Sequence, residues 1–431
     1  MNELYRDATL GDMIRERRTT LGMTMRELAG TTLSPTAVNN IEKGKINPTV
    51  DTLLYLCEAL QLAPEQGLVF YPDITKSAAA LLQIVEKKME VGQIDESIAL
   101  LYDIYWVATE QSAPDELIAK VQYKLGIAFA RLGRFESARN VMNEAYKHYL
   151  IHRDIAGQIR CLNQLGNYSL AERHINISIS TFRQAVELAH RYQLTDEQAG
   201  ETLINLANAY FVHGDLDEAL YFHQRADLLF RQLNDADNLN RNRIRQAVVL
   251  VALERADEAY ELSTQAHDYF AARQDNARLA EALRVLGDIL CHREEHAASR
   301  ETYLQALELQ RGVDPELVFL VETRISHLEL KLGHTALARR YARSALGRLR
   351  EPHRRARVYK LLAQCDYQSR DIEGYIDHMT HAHEAMLAAG DGQAAALIQC
   401  EIADETNDLN LMRSATRTLR QLYEDRHRHD H

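Results

Sequence analysis

The chain has 431 residues, 26% of them charged and 46% hydrophobic, and a formal net charge of −12. That length is too great for one ordinary core and calls for two or three domains or a repeat array. The acidic balance excludes nonspecific coating of nucleic acid or of an anionic membrane by the molecule as a whole, so any contact with DNA must be local.

No stretch approaches the roughly 18 uninterrupted apolar residues of a membrane span. The opening MNELYRDATLGDMIRERR puts polar and acidic groups where a signal peptide needs an apolar core. A cytoplasmic protein with no membrane partner is expected. Cys57, Cys161, Cys291, Cys365 and Cys400 are scattered and form no C-x-x-C pair, so they read as small buried hydrophobes.

Leu10, Ile14, Leu21 and Met23 line a first helix and its exit, with Gly22 suited to its stop. TMRE then begins a second helix, in which the Thr24 hydroxyl and the Glu27 carboxylate can cap reciprocally. Ser34 and Pro35 supply an N-cap and a first-turn proline for a third helix. Val38 and Ile41 give that helix an inward face, while Thr36, Asn40 and Lys43, with Asn39 beside them, give an outward face free of carboxylates. Gly44 stops it, and Leu53, Leu56 and Leu60 form the stripe of a fourth helix.

Residues 10 to 62 thereby resemble a Cro/C1-type (Xre) helix-turn-helix domain. The resemblance implies that Ser34 to Lys43 enters the major groove of double-stranded DNA, with Thr36, Asn39 and Asn40 near base edges. Asn40 is the first choice for readout, because asparagine can bond adenine through two hydrogen bonds. Arg15, Arg26, Lys43 and Lys45 are the expected phosphate contacts. Arg18 and Glu42 match an internal salt bridge of the family. Met25 stands where many members carry a phosphate-binding glutamine, so that contact is expected to be lost or replaced. Residues 10 to 50 hold six Lys or Arg against four Asp or Glu. One such domain would bind weakly, and tight binding implies a homodimer on a palindrome or paired half-sites.

Pro64 and Pro72 break the helical pattern and mark a linker at 63–76. Beyond it, alanines recur at 145, 185, 226, 266, 306, 345 and 382, in steps of 37 to 41. Seven residues before each lies Ala138, Ser178, Ala219, Ala259, Ser299, Ala338 or Tyr375. Twelve residues earlier still comes Gly126, Gly166, Ala207, Ala247, Gly287, Ser326 or Ala363. A period near 40 would also suit HEAT or armadillo repeats, but three columns of small residues at this spacing resemble the tetratricopeptide repeat with lengthened helices. The expected fold is all-α: a helix-turn-helix domain over 1–62, then a right-handed solenoid over 77–393 with one degenerate and seven clear repeats. Capping helices at 394–424 and a His-rich tail at 425–431 complete the chain.

The first helix of each hairpin lines the inner wall, chiefly three and two residues before the small column and one after it. The first repeats present Tyr123 and Lys124, then Asn163, Gln164 and Asn167, then Asn205 and Asn208. The later ones present Arg245, Arg284 and Asp288, Arg324 and His327, then Lys360 and Gln364. Asparagines along a groove can grip the amides of an extended oligopeptide whatever its side chains. The cations can hold an acidic side chain or a terminal carboxylate.

An Xre domain followed by such repeats resembles the RRNPP family of peptide-pheromone receptors. The turn agrees: Ala29 and Ser34 are five residues apart rather than the usual six, and the usual turn glycine is absent. The resemblance implies quorum sensing, in which an imported short peptide binds the solenoid and changes the dimer and its hold on DNA. An alternative partner is a folded protein such as a response regulator. No Gly-rich phosphate loop, nucleophile elbow or H-E-x-x-H is present, so neither enzyme activity nor a cofactor is expected. His378, His381 and His383, and the tail histidines, read as solvated side chains and not as a metal site.

Overall fold

A computed structural model describes residues 9–310, 314–348 and 351–428, and every regular element among them is helical. The tail histidines His429 and His431 lie outside the described residues. The chain divides into two compact units, residues 1–222 and 223–431.

The first unit begins with five short helices, α1 (Leu10–Thr20), α2 (Met25–Ala29), α3 (Pro35–Glu42), α4 (Val50–Ala59) and α5 (Pro64–Val69). Helices this short depend on their ends, because so many of their backbone groups lack an intrahelical partner. Each of the first four has a side-chain cap: Thr9, Thr24, Ser34 and Thr49. Thr24 and Glu27 form the expected reciprocal box, and Ser34 Oγ accepts from the Ala37 amide at 3.0 Å.

Seventeen-residue helices follow: α6 (Ile74–Glu90), α7 (Ile94–Glu110), α8 (Asp115–Arg131), α9 (Phe135–Ile151), α10 (Ile155–Ala171), α11 (Ile175–Arg191), α12 (Glu197–His213) and α13 (Leu216–Gln232), which contains the division between units. The second unit continues with α14 (Ala236–Ala252), α15 (Ala256–Ala272), α16 (Asn276–His292), α17 (His296–Leu309), α18 (Pro315–Lys331), α19 (Thr335–Leu346), α20 (Pro352–Gln368), α21 (Ile372–Ala388), α22 (Gly392–Thr406) and α23 (Leu409–Arg428). Successive helices pack as hairpins, α8 on α9, α10 on α11, α14 on α15 and so on to α22 on α23.

The small columns sit where paired helices touch. Ala138, Ala145, Ala185, Ala259, Ala266, Ala306, Ala338, Ala345 and Ala382 are completely buried. Serines in the columns donate across the hairpin, Ser178 to the Gly166 carbonyl at 2.9 Å and Ser299 to that of Gly287 at 2.8 Å. A methyl at Gly166 would fall 2.5 Å from the Phe182 ring, and one at Gly287 equally near Tyr303. Glycine there lets an aromatic fill the hairpin. Hairpins of the second unit are also stitched by charge, Arg300 of α17 to the fully buried Glu329 of α18 at 2.5 Å and Arg339 of α19 to Asp366 of α20 at 2.7 Å. Asp314 caps α18, and Pro315 and Pro352 open their helices.

The structure departs from the expected linker at 63–76. Pro64 starts α5, as a proline at the first helical position can, and Asp73 caps α6. Leu68 and Ile74 are fully buried, and the Tyr71 hydroxyl donates to the Pro48 carbonyl at 2.6 Å. The segment is a packed junction between the first helices and the repeats. Tyr375, the large exception in the small columns, is half-buried instead of enclosed.

Candidate DNA-reading helix and repeat clefts

Helix α3 lies on α1 and α2 with Val38, Ile41 and Glu42 buried. Gly11 lets α1 approach the end of α3, since a methyl there would meet the Glu42 carbonyl at 2.6 Å. Arg18 grips Glu42 with two hydrogen bonds of 2.5 and 3.0 Å and donates to the Met23 carbonyl at 2.9 Å. The carboxylate holds the Arg18 guanidinium above its usual range. This pair fixes α3 against α1, as the sequence led us to expect.

With α3 held, Ser34, Thr36, Lys43 and Lys45 are exposed, and Asn39 and Asn40 are half-buried beside them. The Lys45 amide donates to the Asn40 main-chain carbonyl at 2.8 Å and closes the turn after α3. Arg15 and Arg26 are exposed as well, Arg15 in an ion pair with Asp12 at 2.6 Å. Met25 packs against the core of the domain rather than standing free for phosphate. Contrary to the glycine-free turn expected from the sequence, Gly30, directly after Ala29, takes a positive φ of 53° at the exit of α2. The shortened turn therefore has its glycine, displaced toward α2, where the Tyr55 hydroxyl closes on the Leu28 and Ala29 carbonyls at 3.2 and 3.1 Å.

In the first unit a cleft of about 400 Å³ brings together Tyr123, Asn163, Gln164 and Asn205. Asn163 is only 6% exposed. Its Nδ2 donates to Thr202 Oγ1 at 2.8 Å, and its Oδ1 has no partner. Asn167 and Asn208 are half-buried and outside this cleft. Lys124 is in an ion pair with Glu86 of α6. Four charged lining residues, Arg160, Asp196, Glu197 and Glu201, were missed by the column rule. Arg160 and Glu201 lie one turn before Gln164 and Asn205 on the same helices, so extending the inner-wall rule back by four residues finds them.

In the second unit, Arg284 and Arg324 both turn to Asp288, at 3.0 and 3.2 Å, and the buried Tyr303 hydroxyl donates to the same carboxylate at 2.5 Å. Arg245 is half-buried and donates weakly to the Arg241 carbonyl at 3.5 Å. His327 and Lys360 line a separate cleft of about 560 Å³ with Gln364, Tyr367, Tyr375, Met379 and Glu401. Lys360 pairs with Glu401 at 2.8 Å. Burial and the Arg324 and Lys331 cations hold the His327 imidazole below its usual range. Burial, with Glu401 and Glu405 nearby, holds the Tyr375 hydroxyl above its own. Tyr367 and Tyr375, the exception in the small column, give this cleft its aromatic wall, with ring centroids 5.5 Å apart.

Burial pushes the Cys57 thiol up to about 11 and that of Cys161 up to about 12, so neither is a ready thiolate. His378, His381 and His383 each bond separately, to Asp366 at 2.5 Å, to the Asp377 carbonyl at 2.9 Å and to the Ala395 carbonyl at 2.9 Å. No described helix is long and apolar enough to cross a membrane.

Comparison with known proteins agrees with both parts of the chain. The Helix-turn-helix family matches residues 14–66. No curated protein sequence matches the chain. Among solved structures, the apo form of the quorum sensor NprR from B. thuringiensis is similar at 16% identity and a TM-score of 0.53, covering 82% of this chain and 99% of that one. A Rap protein complexed with competence and sporulation factor is similar at 13% identity and a TM-score of 0.53, over 81% and 98% of the two chains. The apo form of RapI gives 13% identity and a TM-score of 0.52 over the same 81% and 98%. At these identities the likeness is one of fold. The chain joins an Xre-type helix-turn-helix domain to a tetratricopeptide-like helical-repeat solenoid, the architecture of the RRNPP peptide receptors that its sequence resembles.

Proposed function

We propose that the chain is a sequence-specific transcriptional regulator whose α3 reads DNA and whose repeats bind a short signalling peptide. The observation that carries the DNA half is the outward face of α3. Thr36, Asn39, Asn40 and Lys43 stand clear of carboxylates on a helix that Arg18 and Glu42 lock in place. Asn40 reads a base edge, and Lys43, Lys45, Arg15 and Arg26 hold phosphates. Because one domain of this small positive charge binds weakly, the regulator acts as a homodimer on paired half-sites.

The unpartnered Asn163 Oδ1 supports the peptide half. It is a buried acceptor without a partner on a residue that lines the cleft, and it gains a hydrogen bond when a small rotation of the side chain brings it to an amide N–H of an extended chain. The cations assigned to acidic ligand groups serve less well, because Lys124, Arg284, Arg324 and Lys360 have carboxylate partners of their own. Recognition therefore rests more on amides than on charge. Peptide binding shifts the dimer between DNA-competent and incompetent arrangements to the extent that it prefers one of them.

Selection of DNA from a random pool, with and without short peptides from culture medium, tests this reading. Enrichment of a palindrome or paired half-sites, altered by peptide, is the expected result. Asn40→Ala should relax the preference at one base pair by roughly 1–3 kcal/mol, and Lys43→Ala should weaken all sequences alike. Enrichment of no site under either condition would refute it.

One observation favours a folded protein partner instead. Tyr102 and Trp106, one turn apart on α7, are 50% and 41% exposed. Trp106 is the only tryptophan, so its fluorescence reports directly on titration with a response regulator. An unchanged signal at saturation would remove this alternative.

A further inference from the structure

The turn that follows α9 brings together three side chains that neither the DNA nor the peptide reading uses. His148 and His152 are four residues apart, and the His152 amide donates to the His148 carbonyl at 3.1 Å, so helical register persists through both. That spacing puts two imidazoles on one face, one above the other. Asp115, the first residue of α8, reaches the same place from the paired helix. One ligand atom from each of the three lies within 4.8 Å of the others.

The distances suit a small divalent ion. Zinc bound to imidazole nitrogen or carboxylate oxygen at about 2.0–2.1 Å in a tetrahedron has its ligand atoms about 3.3 Å apart. His152 Nε2 and Asp115 Oδ2 are already at 3.3 Å. The third ligand atom, no more than 4.8 Å away, must move inward by about one and a half ångströms at most. His152 and Asp115 are both more than half exposed, so rotation of their side chains is open to them. The last carbonyls of α9 add negative potential at the same end. A simple His152–Asp115 hydrogen bond would account for two of these groups and leave His148 without a part.

We infer that Asp115, His148 and His152 form a binding site for a zinc-like divalent transition ion, with three protein ligands and a remaining position open to solvent. Two imidazoles and one carboxylate favour zinc or its neighbours over magnesium or calcium, which take oxygen ligands. The bound ion clips the start of α8 to the end of α9, and so braces the hairpin that precedes Asn163. The site needs neither peptide nor DNA.

The test is titration of the full-length chain with cobalt(II), followed by visible ligand-field absorption and by displacement with zinc. His427, His429 and His431 are changed to alanine in every arm, so that the histidine-rich end cannot bind the probe. One saturable equivalent is expected, displaced by zinc and not by magnesium. His148→Ala and, independently, Asp115→Asn should each weaken it about tenfold or more, while His381→Ala leaves it unchanged. Circular dichroism of the metal-free variants confirms that each is folded, and either variant alone suffices to decide. Absence of saturable binding, or equal affinity with His148 and Asp115 replaced, would overturn the assignment.

Discussion

Asn163 in the first unit and Asn242 in the second are both buried amides, 6% and 0% exposed, yet they are used in opposite ways. Asn242 is closed on itself: its Oδ1 meets His223 Nδ1 at 2.7 Å, and its Nδ2 donates to the His223 carbonyl at 2.8 Å and to Asp227 Oδ1 at 2.5 Å. Asn163 spends a donor on Thr202, and its buried acceptor, on a residue that lines a cleft, has no partner. An amide whose capacity is filled internally specifies packing, whereas one with an unfilled acceptor retains free energy for a ligand. The same contrast separates the amide-lined cleft of the first unit from the Arg284–Asp288–Arg324 cluster of the second.

Removing the closed amide should have the largest effect. Asn242→Ala strips partners from His223 and Asp227 while both stay buried, and should lower stability by about 3–4 kcal/mol in urea titration. A loss below about 1 kcal/mol would mean that the network adds little to packing. Next comes the dependence on pH. Burial pushes the His223 imidazole down from 6.5 to about 4, with Asn242 and Arg245 beside it and Asp227 joined to it through Asn242. The unfolded chain takes up the proton near 6.5 and the folded one only near 4, so stability falls as pH drops through that window. By about pH 4 the loss approaches roughly 3 kcal/mol, at about 1.4 kcal/mol per pH unit. Asp227, whose carboxyl burial holds above its usual range, opposes part of this at the acid end. His223→Gln should flatten the profile between pH 6.5 and 4, and parallel profiles for variant and parent would exclude His223 as the source.

Asp288→Ala ranks third. It removes an acceptor from Arg284, Arg324 and Tyr303, but the carboxylate side chain is 20% exposed and water replaces part of the loss. A cost of about 2 kcal/mol is expected. The same change releases two guanidinium groups, so an acidic peptide should bind the variant more tightly than the parent. Unchanged affinity would show that these arginines do not face the ligand.

The parts of the fold that were legible in the sequence were those enforced by local chemistry or by repetition. Thr24, Glu27, Ser34 and Pro35 announce helix starts because short helices have unfilled amides that only a few residue types can fill. The small columns announce hairpins because close helix contact excludes side chains, and it does so at every repeat. Residues 63–76 were misread because proline both ends helices and starts them, and only the burial of Leu68 and Ile74 distinguishes the two here. The clefts were half legible. Column position found Asn163, Gln164 and Asn205, but nothing in one sequence shows which polar residue already has a partner. Glu86 beside Lys124, or Glu401 beside Lys360, comes from a helix about 40 residues away. Partner identity across repeats is a property of packing.

The smallest expected effect on stability is therefore the most telling for function. Asn163→Ala loses one hydrogen bond, to Thr202, and should cost about 1 kcal/mol. It also removes the unfilled acceptor, so affinity for a cognate peptide should fall by roughly fivefold, which corresponds to about 1 kcal/mol. Asn242→Ala, measured where it remains folded, should leave that affinity unchanged despite its greater cost in stability. Calorimetric titration of both variants with one peptide separates the two roles. If peptide affinity follows stability instead, weakening more in Asn242→Ala than in Asn163→Ala, the unfilled acceptor is incidental and the cleft is not where the peptide lies.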